Sequence, residues 1–207
     1  MSNLRARFAA SSIVLLALLA ACASPAPRPL TQTTGPRTYR ENIDISGRFS
    51  AQFQRNGKPE SWSGGFDWSQ SPQLTTVTLH SPLGQTLATI VVDPDSATLT
   101  QSGRAPRRAA DVDSLAQDTL GWPLPVSNLR NWLQGYAKGA DGQMIAATPQ
   151  ATAVITTPDG WHIRYISWQE NNEYAGQDVP KRIDMERETV EAGQVQMRLV
   201  ISNWQVH

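Results

Sequence analysis

The sequence predicts a mainly β protein in which two short helices interrupt a long series of antiparallel strands. Three observations carry this. Apolar and polar residues alternate with a period of two from Ile43 onward, and turn signals separate the alternating runs at short intervals. The period changes to helical spacing only between about Asp111 and Gly135.

The chain begins with something else. Arg5 and Arg7 stand in a stretch of 21 residues that holds no acid, followed by the apolar run Ile13 to Leu19 and then small residues. That is the layout of a secretory signal, and its apolar core is far short of the roughly 20 residues a membrane span needs. Leu19-Ala20-Ala21-Cys22 ends it as a bacterial lipoprotein signal ends, and Cys22 is the one cysteine of the chain. Residues 1–21 are therefore read as a signal and Cys22 as a lipidated amino terminus. Two or more acyl chains hold firmly, since each buried methylene contributes about 0.8 kcal/mol. No aspartate follows Cys22, which by the general sorting rule of enterobacteria favours the outer membrane. Residues 22–40, with Pro25, Pro27, Pro29 and Pro36 among Ser, Thr and Gln, are read as an extended tether. The folded domain is then 41–207.

Strand signals follow in order. Ile43, Ile45, Phe49, Ala51 and Phe53 share one face of a first strand, and Asn56-Gly57 is a hairpin signal. Trp62, Gly64, Phe66 and Trp68 share a face of the second. A third strand, Thr75 to His80, buries Val77 and Leu79. Ser81-Pro82-Leu83-Gly84 turns the chain into a fourth, Thr86 to Val92, and Asp93-Pro94-Asp95-Ser96 turns it into a short fifth through Leu99. Arg104 to Arg108 reads as a basic, proline-containing loop. Asp111 or Asp113 caps a helix carrying Val112, Leu115 and Leu120 and ended by Gly121; Val126, Leu129, Trp132 and Leu133 mark a second helix that stops at Gly135. Strands return at about 143–147, 152–157, 161–168, 181–188 and 195–206, for ten or eleven in all. Helices need an apolar surface to cover, and the sheet's concave face is the one available. Periodicity alone leaves two outcomes open there, an enclosed apolar space or an ordinary core plugged by the helices.

Composition narrows the function. Removing Arg5 and Arg7 leaves two more acids than bases, so there is no basic excess to suggest a nucleic-acid partner. His80, His162 and His207 show no metal-ligand spacing, no Gly-x-Ser-x-Gly elbow occurs, and no glycine loop opens a helix. The expectation is a binding protein with no catalytic residues, no metal and no cofactor. Seven Trp against four Phe and four Tyr suit an amphipathic cavity, a membrane-facing rim or a sheet core.

Ser81-Pro82-Leu83-Gly84-Gln85 between two strands resembles a signature of the outer-membrane lipoprotein LolB family. So does Leu120-Gly121-Trp122-Pro123-Leu124-Pro125 followed by Leu129, Trp132, Leu133 and Gly135, then Trp161, Tyr165, Trp168, Pro180, Ile183, Leu199-Val200-Ile201 and Trp204. The resemblance runs from about Ile43 to Val206. It implies an incomplete antiparallel β-barrel of about 11 strands, its concave face covered by helices. It also implies a monomer that accepts lipoproteins from the periplasmic carrier LolA, holds their acyl chains in a hydrophobic cavity and inserts them into outer-membrane lipid. Trp62, Phe66, Leu115, Leu129, Trp132 and Trp161 are the candidate cavity lining, from strand faces and helix stripes. Leu83 falls at position i+2 of a turn, where a polar residue is the default; the resemblance implies that it projects and helps deliver cargo. The competing expectation is a structural lipoprotein whose β-domain docks on an outer-membrane complex and binds no lipid. An anchored lipase is disfavoured by the missing elbow.

Overall fold

The computed structural model describes residues 37–151, 153–171 and 177–207; the signal segment, Cys22 and the tether as far as residue 36 lie outside the described residues. Twelve strands and two helices occur among the described residues. Five strands form first: β1 (Ile43–Arg55), β2 (Lys58–Gln70), β3 (Thr75–His80), β4 (Thr86–Val92) and β5 (Ala97–Gln101). A three-residue β6 (Arg107–Ala109) precedes α1 (Val112–Leu120) and α2 (Val126–Trp132). Then come β7 (Tyr136–Lys138), β8 (Met144–Ala146), β9 (Ile155–Thr156), β10 (His162–Asn171), β11 (Gln177–Thr189) and β12 (Gly193–Val206).

Ten strands make one antiparallel sheet in the order β6-β5-β4-β3-β2-β1-β12-β11-β10-β9, while β7 and β8 pair apart from it. β6 and β9 stand at opposite edges and do not pair, so the sheet is open, an incomplete barrel. The pairing of β1 with β12, the last strand of the chain, closes the long loop that makes this more than a simple meander. The inward residues of β1 are Ile43, Ile45, Phe49, Ala51 and Phe53, the alternation the sequence predicts. In β12 the inward set is Val195, Met197, Leu199 and Ile201, and then Trp204. The change of parity has a local cause: Ser46 opposes Asn203 and Gly47 opposes Ile201, so Ser202 is an extra residue in a bulge.

The helices follow from their ends. Asp111 caps α1, its Oδ1 accepting from the Ser114 backbone N–H at 2.7 Å. Gly121 ends it at φ +83°, a conformation that costs a residue with a Cβ. α2 begins after Pro125 and has no cap of its own; the cap comes from α1, where Asp113 Oδ1 accepts from the Ser127 N–H at 3.0 Å. Val112, Leu115, Leu120, Val126, Leu129 and Trp132 face the sheet and are buried.

Two sequence expectations shift. The basic segment read as a loop closes as a hairpin, with Arg107 to Ala109 paired to β5. The segment read as tether is already docked by Arg37, ahead of the boundary at residue 41. Arg37 donates to the Gln134 carbonyl at 2.7 Å and to the Ala147 carbonyl, and its guanidinium lies 4.6 Å from the Trp168 ring centre. Gln134 and Arg40 bond reciprocally, the Arg40 N–H to Oε1 at 2.9 Å and Nε2 to the Arg40 carbonyl at 3.0 Å. A proline-rich composition says nothing about such long-range bonds, so the sequence had no signal for them.

Candidate functional site

Between sheet and helices lies an enclosed space whose walls are apolar throughout. The sheet contributes Phe49, Phe66, Val77, Leu79, Met197 and Leu199, from four adjoining strands. The cover contributes Trp122 and Leu124 from the inter-helix link, Leu129 from α2, and Leu133 just beyond it. In this structure the space holds only about 20 Å³, room for about one water molecule. The helical cover fills the chamber with its own side chains.

Trp122 is the largest of these fillers. It is fully buried, stacked on Phe53 with ring centres 5.7 Å apart and met edge-on by Trp62 at 6.5 Å. Its indole N–H has no acceptor among the described residues. An unmet donor of this kind costs about 1–3 kcal/mol, so Trp122 is held by packing alone.

The six predicted lining residues divide. Phe66 and Leu129 line the space. Trp62 is half-buried at its margin, against Trp122. Leu115, Trp132 and Trp161 are buried but do not line it: Leu115 sits on α1, and Trp132 and Trp161 pack edge-to-face at 6.0 Å. The Tyr165 hydroxyl, which burial pushes well above its ordinary pKa, donates to the Trp132 carbonyl at 3.0 Å and ties the end of α2 to β10. Periodicity shows which face of an element turns inward, not which inward residues meet across the interior. Trp122, Leu124 and Leu133 were missed as lining for that reason, although all three lay in the quoted motifs.

Polar groups hold the cover at its edges. Arg130 of α2 donates to the Ser71 carbonyl at 2.9 Å and to Glu41 at 3.0 Å. Asp113 joins the two helices through the Ser127 N–H and hydroxyl. Burial raises the pKa of Asp113; the two Ser127 hydrogen bonds lower it, and the nearby charges of Asp111 and Asp159 raise it again.

Leu83 stands apart from all this. The Gly84 N–H donates to the Ser81 carbonyl at 2.9 Å and the Ser81 N–H to the Gln85 carbonyl at 2.8 Å, closing the turn between β3 and β4. Gly84 has φ +82°, a position suited to glycine. The leucine is 89 % exposed. At the start of the turn the end of β3 lies against Gly64 of its neighbour β2, where a Cβ would stand 1.8 Å from the His80 carbonyl oxygen, an approach only glycine permits. Cys22 lies outside the described residues. Among the described residues, no helix is long and apolar enough to cross a membrane, and no cluster of metal-ligating side chains occurs.

The sequence profile of the family described as "Outer membrane lipoprotein LolB" matches residues 41–204. A protein of Cupriavidus pinatubonensis named outer-membrane lipoprotein LolB is 40 % identical over 178 residues, covering 83 % of this chain and 82 % of that protein. One of Chromobacterium violaceum with the same name is 33 % identical over 195 residues, covering 92 % and 95 %. Among solved structures, a LolA superfamily protein of Nitrosomonas europaea aligns over 83 % of this chain and 89 % of that chain, with a TM-score of 0.46 and 10 % identity.

Proposed function

The chain belongs to the outer membrane lipoprotein LolB family, and from that premise we propose that it receives lipoproteins from LolA, holds their acyl chains beneath its two helices and inserts them into the outer membrane. It is an outer-membrane lipoprotein with a localisation role, not an enzyme. Cys22 is the acylated anchor, and Leu83 is the tip that enters lipid.

The observation that supports this reading is the apolar chamber between sheet and cover. Its filled state sets the mechanism. An acyl chain enters only by displacing Trp122, Leu124, Leu129 and Leu133, which means moving the segment between the positive-φ residues Gly121 and Gly135. Apolar side-chain contacts are then exchanged for apolar ligand contacts, and the net gain is small. Weak net binding suits an intermediate acceptor. No nucleotide drives the step, so cargo moves only along differences in affinity, from carrier to acceptor to bilayer. Leu83 adds about 1.5–3 kcal/mol if its side chain is buried in lipid, enough to bias an encounter and too little to anchor a protein.

Titration with a fluorescent fatty-acyl analogue tests the chamber. Saturable uptake that quenches tryptophan emission is the expected result, and Leu129→Asp, which sets a charge against apolar walls, should abolish it. The filled interior also favours a second reading, a structural lipoprotein that binds no lipid; absence of saturable uptake by the folded protein would establish that one.

A further inference from the structure

The sheet register brings a second element to the end of the molecule that carries Leu83. β4 runs away from the Leu83 turn and β5 returns toward it, Gln101 standing opposite Ala88, which itself lies beside Leu79. The connection from β5 to β6 therefore reaches the same rim, one hairpin along from Leu83. It carries Arg104, and Arg107 opens β6. From Gln101 to Ala110 the chain holds three arginines and no acid. Arg108 is committed toward the other end of the sheet, where it donates to the Ser96 hydroxyl at 2.9 Å.

Arg104 and Arg107 are exposed, and neither pairs with a carboxylate among the described residues. Arg104 bonds the Gln101 side chain at 2.9 Å. Arg107 donates to the Asp118 carbonyl at 3.3 Å and the Thr119 hydroxyl at 3.2 Å, which fixes the arm against the last turn of α1. The result is an uncharged turn tipped by a leucine beside a cationic hairpin.

We propose that this basic arm binds the phosphate headgroups of an anionic bilayer while Leu83 enters the apolar layer beneath them. The proposal rests on the reading of Leu83 as the membrane-facing tip. A guanidinium presents a planar fork to phosphate oxygens, and each basic side chain near an anionic surface strengthens association about fivefold. Two contacts on neighbouring hairpins also orient the domain, which one leucine cannot do.

The test is flotation of the chain carrying Cys22→Ala, so that no acyl anchor contributes, with vesicles of phosphatidylcholine alone or of an equimolar mixture with phosphatidylglycerol. The parent should prefer the mixture, and salt should erase the preference. Arg104→Gln with Arg107→Gln should weaken binding to the mixture by roughly 25-fold and leave phosphatidylcholine binding unchanged, while the double lysine variant keeps most of it. Arg104→Gln alone, which touches only Gln101, should cost about fivefold and covers any disturbance of α1 by loss of Arg107. A folded Arg104→Gln variant that binds the mixture like the parent would overturn the proposal. So would unchanged vesicle binding with impaired transfer from the carrier, which would assign the arm to a protein partner. Leu83→Glu on phosphatidylcholine alone tests the tip separately: unchanged binding refutes the Leu83 reading, and a retained phosphatidylglycerol preference in that variant supports the arm.

Discussion

At the end of the sheet where the chain enters, side chains are bolted to carbonyls far away in sequence; at the opposite end, although Arg55 reaches the Leu120 carbonyl and the Gln54 N–H the Ala192 carbonyl, the Leu83 and Arg104 turns close on themselves. The entry end holds Arg37 on Gln134 and Ala147, Arg40 on Gln134, and Arg130 on Ser71 and Glu41. The other end presents Leu83 on a turn closed by its own backbone, Arg104 bonded three residues back, and Val190, 98 % exposed, on the hairpin between β11 and β12. The difference separates two tasks. Long-range bonds lock the end of the cover to the sheet and to the segment 37–41 that leads into β1, while the Leu83 and Arg104 turns stand out from the sheet on local bonds alone.

The comparison breaks most readily in the interior that joins the two ends. Trp122→Ala removes a buried ring stacked on Phe53 and is expected to cost about 3–5 kcal/mol in urea unfolding. A loss below about 1 kcal/mol would mean that the cover is displaced for much of the time in solution. Arg37→Ala comes next, at about 1.5–3 kcal/mol for hydrogen bonds from a charged donor. Lysine should not rescue it, because the two carbonyls and the Trp168 face need a planar fork.

Asp113 gives a smaller, pH-dependent effect. Its folded-state pKa is raised, chiefly by burial, so its ionised form is disfavoured in the folded state. The stability it contributes is fully present below the ordinary value of 3.8 and is lost as pH rises through the raised value. The parent should therefore gain on Asp113→Asn as the pH falls toward 3.8, read from unfolding curves at a series of pH values. A constant difference between the two would show that Asp113 is solvated and the helices are not latched there. The smallest effect on folding belongs to Leu83→Glu, within about ±0.5 kcal/mol, as at surface sites. The same variant should accept lipoprotein from the carrier at the parental rate and release it poorly into liposomes, in a two-step transfer assay. Equal impairment of both steps would remove the distinction between receiving and delivering.

Much of this fold was legible in advance because its signals are local. Alternation marked the inward faces of β1 to β5, and Gly121 marked the end of α1. The Ser81 to Gly84 turn placed a leucine where a polar residue is expected. Other features carried no local signal. β7 is three residues long and was passed over, and the Ser202 bulge that turns Trp204 inward depends on the register against β1. The cap on α2 is supplied by Asp113, 14 residues upstream.

From the sequence alone came the mainly β architecture, the two covering helices and the placing of an apolar residue on a turn, because each depends on periodicity or turn chemistry within a few residues. Whether the concave face is empty or filled was decided only by the tertiary structure. The free space is what remains after side chains from β1, β2, β3, β12 and the helical cover have met, and that remainder depends on how all of them interlock. The same holds for the rim: Leu83 and Arg104 lie about 20 residues apart in sequence, and only antiparallel pairing through β4 and β5 sets them side by side.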